Sequence, residues 1–312
     1  MKEELELSLL EELGKLTREI RKEVSKMPKI GLGIREIINF VENKIFEKGY
    51  LPAFPCTVSV NDMAAHYTIF DDDYILKKGD LIKIGFGISK DGTITDNAVS
   101  IEVEDNKYEK LMRANLEGLN AAVEKIQLGV SMSDLGKVVN EIAIKNGFNT
   151  IHNLSGHQIA KNNLHCGLSV PNYQNNDTRK VENNQEFAIE PFFTLGVPKV
   201  KAAGNSNILH LMKYKPVRDP IAKKVLEFIK INFEYLPFSK RWLLKDLKKE
   251  MPSFPFENGF DINKVLYALK VLKSQNIIYE YEALATVDGA VVSQYEDTVV
   301  FSNDKKVIIT RL

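Results

Sequence analysis

Cysteine is scarce: two in 312 residues, Cys56 and Cys166, too far apart for a CxxC ribbon or a redox pair. That spacing excludes a small zinc module and a disulfide scaffold, and the expected state is two reduced, buried thiols. An excess of one charge is missing too. With 42 Lys and Arg against 42 Asp and Glu, the formal net charge is +0, so no global field draws the chain to nucleic acid or an anionic membrane. No run of about 18 apolar residues is available to span a bilayer. The start, MKEELELSLLEELGKLTREIRKEV, mixes acids, bases and apolar residues at helical spacing, unlike the basic-then-apolar order of a secretory leader. A cytoplasmic monomer that recognises its partners locally is the expectation, with neither DNA nor membrane among them.

What is present is an ordinary globular composition, 44% hydrophobic and 27% charged, enough for a large core. Two helix pairs recur along it. Leu7 to Lys26 reads as one amphipathic helix, and Ile34, Ile37, Ile38, Val41 and Ile45 stripe a second that stops at Gly49. Residues 108–126 read as a third, and Leu135, Val138, Val139 and Ile142 stripe a fourth that stops at Gly147. Leu32-Gly33-Ile34 echoes Leu128-Gly129-Val130, and Lys48-Gly49-Tyr50 echoes Asn146-Gly147-Phe148. These echoes point to an internal duplication of about 100 residues per half.

Strands follow each pair. DLIKIGFGIS and TITDNAVSIEV flank a Lys90-Asp91-Gly92 turn, a hairpin signal that sets Asp96 on its second strand. QEFAIEPFFTLG reads as a buried strand carrying Glu190 and ending at Pro191, and the C-terminal segment reads as two strands around Asn303-Asp304, the first carrying Glu296. Between Asp219 and Tyr281 three helical segments (IAKKVLEFIKINF, KRWLLKDLKKEM and INKVLYALKVLKSQN) interrupt the strands. Lys264, Lys270 and Lys273 are too few to make a DNA-reading helix of them.

Carboxylates on apolar strands are costly unless paired or bound to a cation. Asp96, Glu190 and Glu296 occupy such places, and Gly156 before His157 lets the backbone approach a ligand closely. One imidazole and three carboxylates form an N/O donor set suited to one or two Mn, Fe, Co or Zn ions, and such an ion polarises carbonyls and acidifies water. His66 and His165 are candidate donors to a substrate; His152 reads as structural or exposed.

With these residues in place, AFPCTVSVNDMAAHYT (53–68), GDLIKIGFG with DGTITDNAVSI (79–101), NLSGHQIAKNNLHCG (153–167), FAIEPF (187–192), LPFSKRWL (236–243) and SQYEDTVVF (293–301) together resemble the type 2 methionine aminopeptidases of the archaeal kind. The resemblance implies an α/β pita-bread fold, in which pseudo-twofold halves surround a curved antiparallel sheet. It implies a catalytic domain of residues 1–218 and 282–312 and an inserted helical, winged-helix-like subdomain of 219–281. It implies removal of the initiator methionine from nascent polypeptides when the next residue is small, with the ribosome a candidate partner. Asp96, His157, Glu190 and Glu296 are then metal ligands; His66, His165 and Glu190 are catalytic. Phe54, Leu164, Phe192 and Tyr281 form the methionine pocket, with His210 beside it.

The chain departs from the family's pattern at three positions. Gly85 stands where the family has the first ligand, a bidentate Asp; Asn97 stands for Thr; Asp297 stands for His. Gly85 leaves one ion position without its chelating side chain. It keeps open an alternative, a non-catalytic relative that binds protein or RNA.

Overall fold

The computed structural model describes residues 2–312, with side chains from residue 7 onward. The stripe read from Ile34 to Ile45 folds as the helix Ile34–Glu47 with all five of its named residues buried. It lies against the helix Lys2–Val24, and the two cover the three-stranded antiparallel sheet of Thr57–Val60, Leu81–Phe86 and Asn97–Glu102. Leu13, Ile20, Val58, Ile82, Ile84 and Phe86 close the core between them. The second pair, Glu109–Lys125 and Met132–Lys145, covers a five-stranded sheet in the same way. That sheet runs Asn163–Pro171, Ser155–Ala160, Glu186–Ile189, Asp297–Ser302, Lys305–Ile308, with Leu119, Leu135, Val139, Phe187 and Phe301 packed beneath the helices.

Matching hydrogen bonds establish the duplication. The Gly31 N–H donates to Leu76 O and the Ile34 N–H to Tyr74 O; in the second half the Gly129 N–H donates to Val181 O and the Met132 N–H to Arg179 O. The equivalence is therefore Gly31 with Gly129, two residues away from the Gly33 echo read in the sequence. Both glycines hold the left-handed backbone, with φ of 85° and 83°, whereas Gly33 is an extended N-cap. The stops agree as expected: Gly49 and Gly147 have φ of 74° and 82° and follow their helices in the same hydrogen-bonded turn.

The hairpin turn at Asp91-Gly92 is present, both residues at positive φ. Cys56 is buried, but Cys166 is only half-buried, because its strand Asn163–Pro171 is the edge of the five-stranded sheet; both thiols are free. No helix among the described residues is long and apolar enough to cross a membrane.

Two long antiparallel strands, Val200–Leu211 and Ile278–Thr286, lead into and out of the helical segment. Asp219 caps the helix Pro220–Phe233 and Asp261 caps Ile262–Ser274. The middle helix expected from KRWLLKDLKKEM is instead a 3-10 turn, Lys240–Leu243, and a single turn, Leu247–Glu250. Trp242 and Leu243 are drawn down into a core of Val225, Ile229, Phe233 and Leu269, which a continuous helix would not allow. The same turn fastens to the first half. Glu42, fully buried, accepts from Arg241 Nη2 at 2.6 Å, Trp242 Nε1 at 2.8 Å and the Cys56 N–H at 3.2 Å.

Removing one member of that buried pair strands the other. Glu42→Ala is expected to cost about 3–5 kcal/mol by urea unfolding, and a loss under about 1 kcal/mol would show that the Arg241–Glu42 pair does not hold the segment in place.

Candidate metal centre

None of the three carboxylates sits within a strand, contrary to the sequence expectation; each occupies a break between two. Asp96 falls between Thr93–Ile94 and Asn97–Glu102, where the Thr298 hydroxyl accepts its N–H at 2.8 Å and donates to its carbonyl at 2.6 Å. Glu190 falls between Glu186–Ile189 and Phe192–Thr194, beside Pro191, which has no N–H to offer a ladder. The strand resumes after Pro191 rather than ending there. Glu296 forms an isolated bridge to Ala98 between Val292–Gln294 and Asp297–Ser302, its N–H donating to Ala98 O at 3.0 Å. At each break the chain passes from one sheet to the next, which frees a side chain from the in-and-out alternation of a pleat. All three carboxylates reach one interior cavity.

His157 lies on Ser155–Ala160, opposite Ala188. Gly156 serves strand packing and not a ligand: a Cβ there would stand 2.4 Å from Ala188 O. His157 Nε2 faces Asp96 Oδ2 at 3.5 Å and Glu190 Oε1 at 3.7 Å, and donor atoms of Asp96, His157 and Glu296 lie within 4.8 Å of one another. Glu190 Oε2 accepts from Gln294 Nε2 at 2.9 Å.

Burial, and then mutual repulsion, governs the charge states. Burial lifts the Asp96 carboxyl to about 8. Burial and the neighbouring Asp96 hold Glu190 well above the usual carboxylate range, and Glu296 is raised by burial, Asp96 and Glu190 together. Burial and the nearby His165 push His157 well below 6.5, so it is a neutral imidazole with a free lone pair. Among the described residues no lysine or arginine pairs with any of the three carboxylates. Facing oxygens, a neutral imidazole and no cation from the chain fit a bound divalent ion, whose charge would return the carboxyls to their ionised form.

The cavity has a volume of about 410 Å³. Every residue named from the sequence as ligand, catalytic group or methionine contact lines it: Asp96, His157, Glu190 and Glu296; His66 and His165; Phe54, Leu164, Phe192 and Tyr281. The His165 ring lies 4.3 Å from that of His157, and His66 lies 5.5 Å from Tyr281. His66 takes the left-handed backbone, φ 61°, uncommon for a side chain of this size. Crowding by protein lowers the pKa of both, that of His165 to about 4, so both are neutral near pH 7. His210 packs its ring 6.5 Å from Tyr281, outside the wall. His152 is exposed and stacks on Tyr173, away from the cavity.

The three departures have distinct surroundings. Gly85 is part of the cavity wall, opposite Thr57 in the sheet. Asn97 turns its amide onto Phe86 O. Asp297 turns away from the site, where Arg21 Nη1 at 2.9 Å and Arg311 Nε at 3.0 Å neutralise it.

Gln294, Thr298 and Thr57 escaped the sequence reading. Gln294 stands two residues before Glu296 and lines the same cavity, and that closeness in sequence could have flagged it. Thr298 and Thr57 act through main-chain contacts to distant residues, for which the sequence holds no local signal.

Comparison with known proteins agrees with this arrangement. The profile of metallopeptidase family M24 matches residues 8–213. A methionine aminopeptidase of Methanothermobacter thermautotrophicus is 36% identical over 300 residues, 95% of this chain and 96% of the relative. One of Thermococcus kodakarensis is 37% identical over 299 residues, covering 95% and 97%. The solved structure of a thermophilic Arx1 superposes with a TM-score of 0.79 at 16% identity, over 97% of this chain and 90% of that one, which is a likeness of fold. Full-length kinship at this identity, together with the fold and the cavity, makes the chain a member of metallopeptidase family M24, in its methionine aminopeptidase branch of pita-bread enzymes.

Proposed function

We propose that the chain removes the N-terminal methionine from newly made polypeptides in the cytoplasm, as a monomer, when the residue that follows is small. The convergence of Asp96, His157, Glu190 and Glu296 on one cavity with an apolar end carries this reading. Asp96, His157, Glu190 and Glu296 are the metal ligands. A divalent ion held by them would polarise the scissile carbonyl and make water a competent nucleophile near neutral pH. Co, Mn, Fe and Zn all suit the donor set.

The chain's own residues do the rest. Phe54, Leu164, Phe192 and Tyr281 enclose the methionine side chain, which fixes the bond to be cut beside the ligand cluster. His66 and His165, neutral at working pH, donate N–H groups to the substrate's peptide oxygens without carrying a charge into the cavity. Glu190, steadied by Gln294, carries the proton from water to the departing amine. Residues 219–281 act as an inserted subdomain, a division that the separate core around Ile229 and Trp242 supports. The ribosome with its emerging chains is the natural place of action.

Metal-free protein supplied with Mn, Fe or Co is expected to release methionine from a Met-Ala-Ser peptide, and His157→Ala is expected to abolish both release and tight metal binding. No release with any ion would leave the alternative, a pita-bread protein that binds protein or RNA without catalysis, an alternative that Gly85 favours. Gln294→Leu, which frees the Glu190 carboxylate without removing a ligand, is expected to lower metal affinity or kcat about 10–100-fold. An unchanged kcat and an unchanged metal affinity would remove Gln294 from the mechanism.

The raised carboxyls set a pH dependence on the metal-free protein. Asp96 and the neighbouring Glu186, both lifted to about 8, bind protons in the folded chain that the unfolded chain has already released. Their contribution to stability is therefore lost as pH rises from the carboxylate range toward 8. The histidines, with pKa values lowered from 6.5, act in the opposite sense only at lower pH. Between pH 6.5 and 8.5 the Tm of the metal-free protein should fall, and Mn should recover more of it at the upper end. A flat profile would show that these carboxyls do not titrate in that range.

A further inference from the structure

Resting on the metallopeptidase reading above, we propose that Thr57 and Gly85 form an interdependent pair that closes one of two adjacent ion positions, so that the centre holds a single divalent ion. The observations concern the two walls of the cavity. On the His157 side, an imidazole nitrogen and oxygens of Asp96 and Glu190 converge within 3.7 Å, with Glu296 beside them. On the Gly85 side, the chain offers one neutral hydroxyl. Thr57 and Gly85 are cross-strand partners, and Thr57 Oγ1 leans over the glycine to donate to its carbonyl at 3.3 Å.

The hydroxyl occupies space that a side chain at position 85 would need. A Cβ built on Gly85 stands 2.8 Å from Thr57 Oγ1, while its other neighbours, Ala98 Cβ and Asn97 O, are at a comfortable 3.9 Å. Thr57 is thus the one close contact that a Cβ at position 85 would meet. Threonine is stiff about χ1, and turning it away gives up the hydrogen bond to Gly85 O. No other carboxylate compensates: among the described residues lining the cavity, only Asp96, Glu190 and Glu296 carry one. Asn97, the nearest side-chain amide in sequence, gives its Nδ2 to Phe86 O and is not among the residues that line the cavity.

A second ion would have to draw on the same three carboxylates, with the Thr57 hydroxyl in place of a chelating carboxylate at position 85. Hard divalent ions take charged oxygens where they can, and two such ions held close together on three carboxylates repel one another in a poorly solvated site. One ion on the His157 side satisfies the donors without that repulsion.

The test is a titration of metal-free wild type, Gly85→Asp, Thr57→Ala and the double variant with Mn(II), read by calorimetric stoichiometry and by electron paramagnetic resonance, which separates isolated from spin-coupled ions. Wild type and Thr57→Ala are expected to bind one tight equivalent with the signal of an isolated ion. Gly85→Asp alone should gain little, whereas Thr57→Ala with Gly85→Asp should take up a second, coupled ion about tenfold more tightly than Gly85→Asp does. Two comparable equivalents in wild type, or a full second site from Gly85→Asp alone, would overturn the inference and leave the metallopeptidase reading standing. No bound ion in wild type would overturn both. Two equivalents in wild type overturn the inference whether or not a variant folds, and a double variant that folds but binds its second ion no more tightly than Gly85→Asp overturns the role of Thr57.

Discussion

Three carboxylates and an imidazole share one wall of a cavity from which most water is excluded, and their mutual repulsion has to be held in check by the chain around them. At such separations like charges interact strongly once the solvent is removed. Left to itself the cluster would splay apart or stay protonated, as the raised carboxyls of Asp96, Glu190 and Glu296 show. What prevents movement is anchoring of the main chain at Asp96 and Glu296 and of the side chain at Glu190. Asp96 is clasped at both its N–H and its carbonyl by one hydroxyl, Glu296 is bridged to Ala98, and Glu190 is steadied by Gln294. The scaffold presents a fixed set of carboxyl oxygens to a cation, which is how a site gains affinity without rearranging its side chains on binding.

The duplication explains where that wall stands. Each half makes a sheet covered on one face by a helix pair, and the edge strand of the first sheet is tied to the second half where Glu296 bridges Ala98. Asp96 comes from the first half, His157 and Glu190 from the second, and Glu296 from the break whose bridge to Ala98 joins them. The metal centre belongs to neither half alone.

The parts legible in the sequence were those written locally. Amphipathic stripes and glycine stops located four helices to within a few residues, because each stripe buries against its own sheet. The family's motifs brought every named site residue to the cavity wall. The parts that escaped depend on partners far along the chain. Strand-forming residues stand on both sides of Asp96, Glu190 and Glu296, so the strands looked continuous, and the breaks are set by Thr298, Pro191 and the Ala98 bridge. KRWLLKDLKKEM has a helix's composition, yet Trp242 and Arg241 answer to Phe233 and Glu42 and break it. The lean of Thr57 over Gly85 exists only once two strands pair.

Asp297 adds a matter of timing. It meets Arg21 across 276 residues of chain, and Arg311 closes on its other oxygen. During synthesis Arg21 waits without its anion for most of the time the chain is being made, and Asp297 arrives together with the ligand Glu296. The segment that enters the strand Asp297–Ser302 thus delivers, in one docking event, both the partner that neutralises Arg21 and the carboxylate that completes the metal centre. Until then a growing chain holds three of its four ligands and an unmatched arginine, so maturation of the centre and closure of the fold coincide.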